Sequence, residues 1–280
     1  MCRPSAVLVC LALVHGSVGI CADDSPAQVA ARQRGRARCN TMVEAKAEWC
    51  GATAMGAYED GKLSGYLFAS LSQLEGGYAF VLEHKWQCRG EGYASYRSAS
   101  GVLDAQFGVC RYRAEAYRSQ CYFESHVHEI AQWKDGVLWL TAAVHGAGQP
   151  KKVEAVVDSI DGFEILGLRA WRNWPVGVVH RFHVLAGVDH RIGSTETWQP
   201  GLVSTDVSTG ARRREGAREL VDITVARDGK PPHVYTCDAK TGDLVQAKLG
   251  DAFVLRPTSA AALAAWQDEQ AWWPTSRTGR

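Results

Sequence analysis

An antiparallel β meander that curls into a barrel or half-barrel and ends in a helix is the fold class this sequence predicts, and three observations predict it. Turn signals recur at short intervals: Glu59-Asp60-Gly61, Glu75-Gly76-Gly77, Ser98 to Gly101, Asp135-Gly136, Gly146 to Lys151, Asp161-Gly162, Asp228-Gly229 and Lys240-Thr241-Gly242. The runs between them are short, rich in β-branched and aromatic residues, and poor in helical periods. Two hairpin registers, each set by its own turn, gather apolar side chains on one face.

The chain has 280 residues, 46% of them hydrophobic, and a formal charge of +1. That is enough to bury a sizeable core in one large β domain or two smaller ones. Near-neutral charge, without a helix-turn-helix, zinc-finger or stacking-platform signature, argues against a nucleic-acid partner. Residues 1–22 read as a signal peptide: Arg3 precedes the apolar run Ala6 to Val14, and small residues surround Ser17-Val18-Gly19. Ile20 disfavours a lipid anchor on Cys21, and no later run is long enough to span a bilayer. A periplasmic or secreted protein is therefore expected.

Residues 23–50 follow as a basic mobile arm and N-terminal segment. Arg32, Arg34, Arg36 and Arg38 alternate there with little to bury. A solvated tail and a peripheral contact with anionic envelope components both fit, and Arg212-Arg213-Arg214 adds to the second. Export removes Cys2, Cys10 and Cys21, leaving Cys39, Cys50, Cys88, Cys110, Cys121 and Cys237, an even set that favours disulfides. A turn at Ser98 to Gly101 would bring Cys88 opposite Cys110. Cys39 and Cys50 are close in sequence, and Cys121 and Cys237 remain by elimination.

Residues 51–258 form the expected β domain. Its best-specified part is Cys121 to His145, where Asp135-Gly136 suits a two-residue type I′ turn. That turn pairs Trp133 with Leu138, Ala131 with Leu140, Glu129 with Ala142, Val127 with Val144 and His126 with His145. Phe123, Val127, Ala131, Trp133, Leu138 and Leu140 then share one mostly apolar face with Glu129. The other face carries Glu124, His126, His128, Gln132, Thr141 and His145, with Ile130 and Trp139. A second hairpin is expected at Asp161-Gly162, pairing Val157 with Leu166, Ala155 with Leu168 and Val153 with Ala170. Arg169 to Pro175 breaks the pattern, because Pro175 cannot donate within a ladder. Strand signals resume at Val176 to Leu185. Gly187 to Arg218 reads as a loop-rich excursion with one short strand near Thr195 to Trp198. Strands return at Leu220 to Ala226, His233 to Asp238 and Leu244 to Leu249. Residues 259–280 supply a C-terminal helix and tail, with Ser259 as N-cap and Leu263 and Trp266 at helical spacing.

The segment Tyr122 to Leu138, with His126, Glu129, Trp133, Asp135 and Gly136, resembles a hairpin of exported proteobacterial β-rich proteins of unknown function. Tyr66 to Trp86 looks like their early strands, and Asp238 to Gln246 like a strand-turn-strand they share. The likeness runs from Tyr58 to Gly250, while Cys110 and Cys121 have no counterpart in it. Such proteins look related to periplasmic lipid-carrier half-barrels, which implies an open sheet curled around a hydrophobic groove. No catalytic residue comes with the resemblance.

Three functional readings follow. In the first, the apolar face with Phe123, Val127, Trp133, Leu138 and Leu140 lines a groove that binds a lipid or other amphipathic small molecule, without chemistry or cofactor. In the second, His126, His128 and His145 share a patch able to bind Zn²⁺ with one open position, as in metal-dependent hydrolases. A solvated sheet face accounts for the same residues. Glu129 is the candidate general base, because a carboxylate on an apolar face needs a partner or a raised pKa, and Arg111 or Arg113 are the expected partners. The third reading is an envelope scaffold that uses its basic arm and its Trp-bearing helix. No serine-hydrolase elbow, phosphate loop, dinucleotide fingerprint or calcium loop is present in the sequence.

Overall fold

The computed structural model describes residues 46–88, 93–105, 107–120, 123–134, 137–144, 150–153, 157–189, 199–227, 229–250 and 253–269. The signal peptide, the basic arm, Cys39, Cys121, His145, the strand expected near Thr195 to Trp198, Trp272 and Trp273 lie outside these residues.

Connections of two to five residues build the first half of the sheet as a meander. β1 (Gly51–Glu59) turns through Asp60 and Gly61, both at positive φ, into β2 (Lys62–Leu74). β3 (Gly77–Cys88), β4 (Tyr93–Asp104), β5 (Val109–Gln120), β6 (Phe123–Lys134), β7 (Val137–Val144) and β8 (Pro150–Lys152) follow, each antiparallel to the last. The β6–β7 register is the expected one, from Lys134 opposite Val137 to Val127 opposite Val144. The second half comprises β9 (Ser159–Ile160), β10 (Val179–Asp189), β11 (Gln199–Thr209), β12 (Arg213–Glu215), β13 (Arg218–Arg227), β14 (His233–Asp238), β15 (Leu244–Leu249) and β16 (Phe253–Pro257). β1 and β16 join the halves, giving one sheet with β8 at one edge and β9 at the other.

Those edges stand close together. Val153 N–H donates to Leu138 O at 2.8 Å on one side, and Asp158 N–H to His183 O at 2.7 Å on the other. Five Cα steps separate Val153 from Asp158, so the edges lie within roughly 18 Å. The sheet is thus a curled, unclosed meander, as the sequence predicts. Its inner face is the core, with Leu67, Tyr78, Phe80, Leu138, Leu140 and Ile223 among the buried side chains.

Four expectations are corrected. Asp161-Gly162 opens a helix, α1 (Phe163–Trp171), instead of a hairpin, so Leu166, Leu168 and Ala170 do not pair with Val157, Ala155 and Val153. Gly162, at φ 85°, caps the helix where a Cβ would lie 2.2 Å from Leu82 Cδ2. Phe163, Leu166, Gly167, Ala170 and Trp171 recur at helical spacing and are buried. Leu166, Leu168 and Ala170 also alternate, and a run apolar on nearly every side satisfies both periods. Ser98 to Gly101 is the middle of β4, where Gly101 sits opposite Tyr112 and a Cβ would meet Tyr112 Cα at 2.7 Å. Small residues there accommodate a neighbour and make no turn.

The disulfide geometry built on that turn goes with it. Cys88 pairs with Tyr93 at one end of β3, and Cys110 lies at the opposite end of β5. No disulfide is seen among the described residues, and Cys50 and Cys237 are thiols. Finally, Gly187 to Arg218 contains the eleven-residue strand β11. Thr205, Val207 and Thr209 point inward from it, a period-2 face hidden among residues that also form turns.

The second helix, α2 (Ala260–Glu269), starts where expected. Ser259 Oγ accepts the Ala262 N–H at 3.1 Å, and Trp266 is buried edge-on against Tyr66, with ring centroids 6.1 Å apart.

Candidate functional site

Two sets of charged contacts hold α1 inside the curled sheet, one at each end. At its start, Asp161 and Glu164 face arginines from both halves of the sheet. Arg227, at the end of β13, places Nη2 2.7 Å from Asp161 Oδ1 and 3.0 Å from Glu164 Oε1. Arg97, on β4, lies 3.5 Å from Asp161 Oδ2 through Nη1 and 3.5 Å from Glu129 Oε2 through Nη2. Tyrosines finish both ends of the chain: Tyr112 OH donates to Glu129 Oε2 at 3.4 Å, and Tyr235 OH to Glu164 Oε1 at 3.4 Å.

The electrostatics follow from burial and order. Burial alone would raise the Asp161 carboxyl, but Arg227 and Arg97 outweigh it and hold the pKa at about 2. Glu164 goes the other way: burial, then the neighbouring Asp161, raise it against the pull of Arg227. The Arg227 guanidinium is held charged by Glu164 first, then Asp161, against burial. His233, whose ring meets Tyr235 at 6.4 Å, is pushed down to about 4 by burial and then by Arg227. These charges neutralise one another within the protein, which is how a structural clamp behaves.

Glu129 belongs to this clamp. It is 3% exposed, and its Oε2 meets both Arg97 and Tyr112, so it serves as a counter-ion in the core. Its arginine partner is Arg97, not Arg111 or Arg113, which are exposed. The reason is parity: Tyr112 and Ala114 point inward from β5, so Arg111 and Arg113 point out. Ala114 and Ala116 lie between Arg97 and Glu129 in the ladders, and their small side chains let the long ones meet across β5.

The other end of α1 is different. Arg169 donates to Asp243 Oδ1 from Nη2 at 2.6 Å and from Nε at 3.2 Å, and its Nη1 donates to the Cys50 carbonyl. Arg172, the C-cap, is 9% exposed, and its buried Nε and Nη1 have no hydrogen-bond partner among the described residues. Burial lowers its pKa; Glu48 opposes this, and the like charges of Arg169 and Arg212 add to it. Near it a narrow cleft of about 20 Å³ runs between α1 and the first strands, with Trp49, Thr53, Leu71, Ile165, Leu168 and Arg169 in its walls. Gly242, at φ 78°, completes the rim. A Cβ there would lie 2.6 Å from Arg169 Cα and 3.0 Å from Arg172 Cδ.

Val127, Leu138 and Leu140 are 2%, 1% and 0% exposed within the protein's own core. The side chains of Phe123 and Trp133 are outside the described residues. The cleft opens instead on β1, β2 and α1. His128 is exposed on the outer face, while the His126 side chain and His145 fall outside the described residues. Among the described residues no group of three or more His, Cys, Asp or Glu could hold a metal ion, and no helix is long and apolar enough to cross a membrane.

Sequence reading missed Arg97, Asp161, Glu164, Arg169, Arg172 and Arg227. One signal was available for two of them. Arg227 continues the inward face of Val221, Ile223 and Val225, and Arg97 that of Ala99 and Leu103, so each is an arginine at an apolar parity. No protein-family model matches this chain, and no curated protein matches it.

Proposed function

We propose that this is an exported, non-catalytic protein that binds an apolar or amphipathic small molecule on the concave side of its sheet. The observation that carries the reading is the open cleft at the C-terminal end of α1. Its walls pair apolar side chains with a few converging polar groups, the usual composition of a ligand site. The rest of the groove is filled by α1, so the cleft, and not the hairpin face, is where a ligand enters. Glu129 supports a non-catalytic reading, since its charge is taken up by Arg97.

Native mass spectrometry of protein purified from its own host tests the proposal. A co-purified small molecule is expected, and it should be lost when Thr53, a cleft-wall residue, is replaced in Thr53→Phe, and kept in His128→Ala on the outer face. Protein that leaves its host without a bound molecule, and takes up no alkyl ligand in titration calorimetry, would sink it.

A further inference from the structure

We propose that the turn between α1 and β10 is a membrane-docking tip: Val176, Val178 and Val179 enter the headgroup boundary of an anionic lipid bilayer, and the arginines beside them meet its phosphates. Residues 175–179 are all exposed, with Val176 at 62%, Val178 at 43% and Val179 at 59%. These three are the majority of the five large hydrophobic side chains exposed among the described residues. A single exposed valine needs no explanation, but three within four positions make a patch. Turn chemistry does not ask for them either, since turns draw on Gly, Pro, Asn, Asp and Ser. Val178 N–H donates to Pro175 O at 3.3 Å, and Gly177, at φ 76°, takes the place that a type II turn reserves for glycine. A Cβ on Gly177 would meet nothing within 4 Å, so the tip projects clear of the protein. Below it Gly177 N–H donates to Thr209 O at 3.1 Å, and the buried Trp174 stacks on Phe182 with ring centroids 6.2 Å apart. A tip braced in this way needs little ordering on docking.

Shape and charge select the partner. Hot spots of protein–protein interfaces draw on Trp, Tyr and Arg, and Val is under-represented in them. Short aliphatic side chains on a convex turn suit instead a fluid apolar layer, which takes its shape from what enters it. Arginines flank the tip. Arg181 follows Val179 on the same side of β10, about 7 Å along the strand. Arg212 reaches back to Asn173 Oδ1 at 3.1 Å, two residues before Pro175, and Arg213 and Arg214 continue the exposed run. Arg181, Arg212 and Arg213 hold Asp206, Glu219 and Asp222, while Arg214 and Arg218 form no ion pair among the described residues. With Glu215 included, five arginines face four carboxylates, and that excess favours anionic over zwitterionic headgroups. Residues 175–179 line no part of the cleft, so the tip stands whether or not a ligand enters there.

Cosedimentation of the purified protein with vesicles of phosphatidylcholine, with and without phosphatidylglycerol, tests this at low salt. The mixed vesicles should bind at least about threefold more tightly than phosphatidylcholine alone. V176S/V178S/V179S should weaken binding to both by about tenfold or more. R214S/R218S should remove the preference for phosphatidylglycerol and leave binding to phosphatidylcholine unchanged. Absence of binding to the mixed vesicles, or undiminished binding of the triple valine variant, overturns the tip. Equal binding to the two vesicles overturns the role of the arginines, as does a preference that survives in R214S/R218S. A dimer in sedimentation velocity that the triple variant loses assigns the tip to a second copy of the chain and overturns the membrane. Should the triple variant not fold, by circular dichroism, V176S at the most exposed position carries the same test, with binding weakened about threefold.

Discussion

The two ends of α1 meet the same physical problem, charge inside a curled sheet, with opposite results. Acids sit at the start of the helix and arginines at its end, each the sign the helix dipole favours. At the start, two arginines answer three carboxyl groups, and the tyrosines complete the set. At the end, Arg169 finds Asp243 and a carbonyl, but two nitrogens of Arg172 have no partner among the described residues. A closed set of buried charges is costly to break, whereas a buried donor left unanswered costs stability by itself.

Breaking the closed end should have the largest effect. Arg227→Met leaves buried Glu164 without its cation and half-buried Asp161 with Arg97 alone, and should cost about 3–5 kcal/mol in guanidinium denaturation. At the other end Arg169→Met removes a partly exposed pair and should cost less, about 1–3 kcal/mol. A cost as large as that of Arg227→Met would mean that both ends are clamps of equal weight.

Acid sharpens the contrast, because His233 and Asp161, both held well below their usual values, lie at the closed end. Folded His233 titrates near 4 and an unfolded histidine near 6.5, so between these values the unfolded chain binds the extra proton. Stability should fall as pH drops from about 6.5 to about 4. Asp161 adds a second loss, present in full above about 3.8 and completed as pH falls to about 2. Denaturation midpoints across this range should show both steps, and His233→Gln should flatten the upper one only.

Arg172→Met should behave unlike either clamp residue. Without ligand its midpoint should be unchanged, or raised by up to about 1 kcal/mol, since the substitution removes unsatisfied buried donors. A clear loss would mean that Arg172 has a structural partner. His128→Ala, on the exposed outer face, should stay within about 0.5 kcal/mol.

How much of this was legible depends on what each element answers to. The β6–β7 register could be read because Asp135-Gly136 allows a two-residue turn and the flanking residues alternate cleanly. β14, β15 and the Ser259 cap are local in the same sense. α1 could not, since a segment buried on nearly every side loses the contrast between polar and apolar faces from which a period is read. β4 and β11 were hidden by serines and threonines that suit turns and strands alike. The clamp needed the third dimension: Arg97 and Arg227 lie on opposite halves of the sheet and meet only because it curls.

That curl sets a schedule for the chain as it is made. β1 pairs with β16, and Tyr58 OH reaches Thr258 Oγ at 2.6 Å across 200 residues of sequence. From the ribosome onward the first strand waits with one hydrogen-bonding edge bare until Phe253 to Pro257 emerge. Pairing over such separations is slow, and bare edges invite association with other chains. Truncation before Phe253 should therefore yield aggregate in place of a smaller soluble domain, even though the meander β1 to β8 would remain intact in sequence.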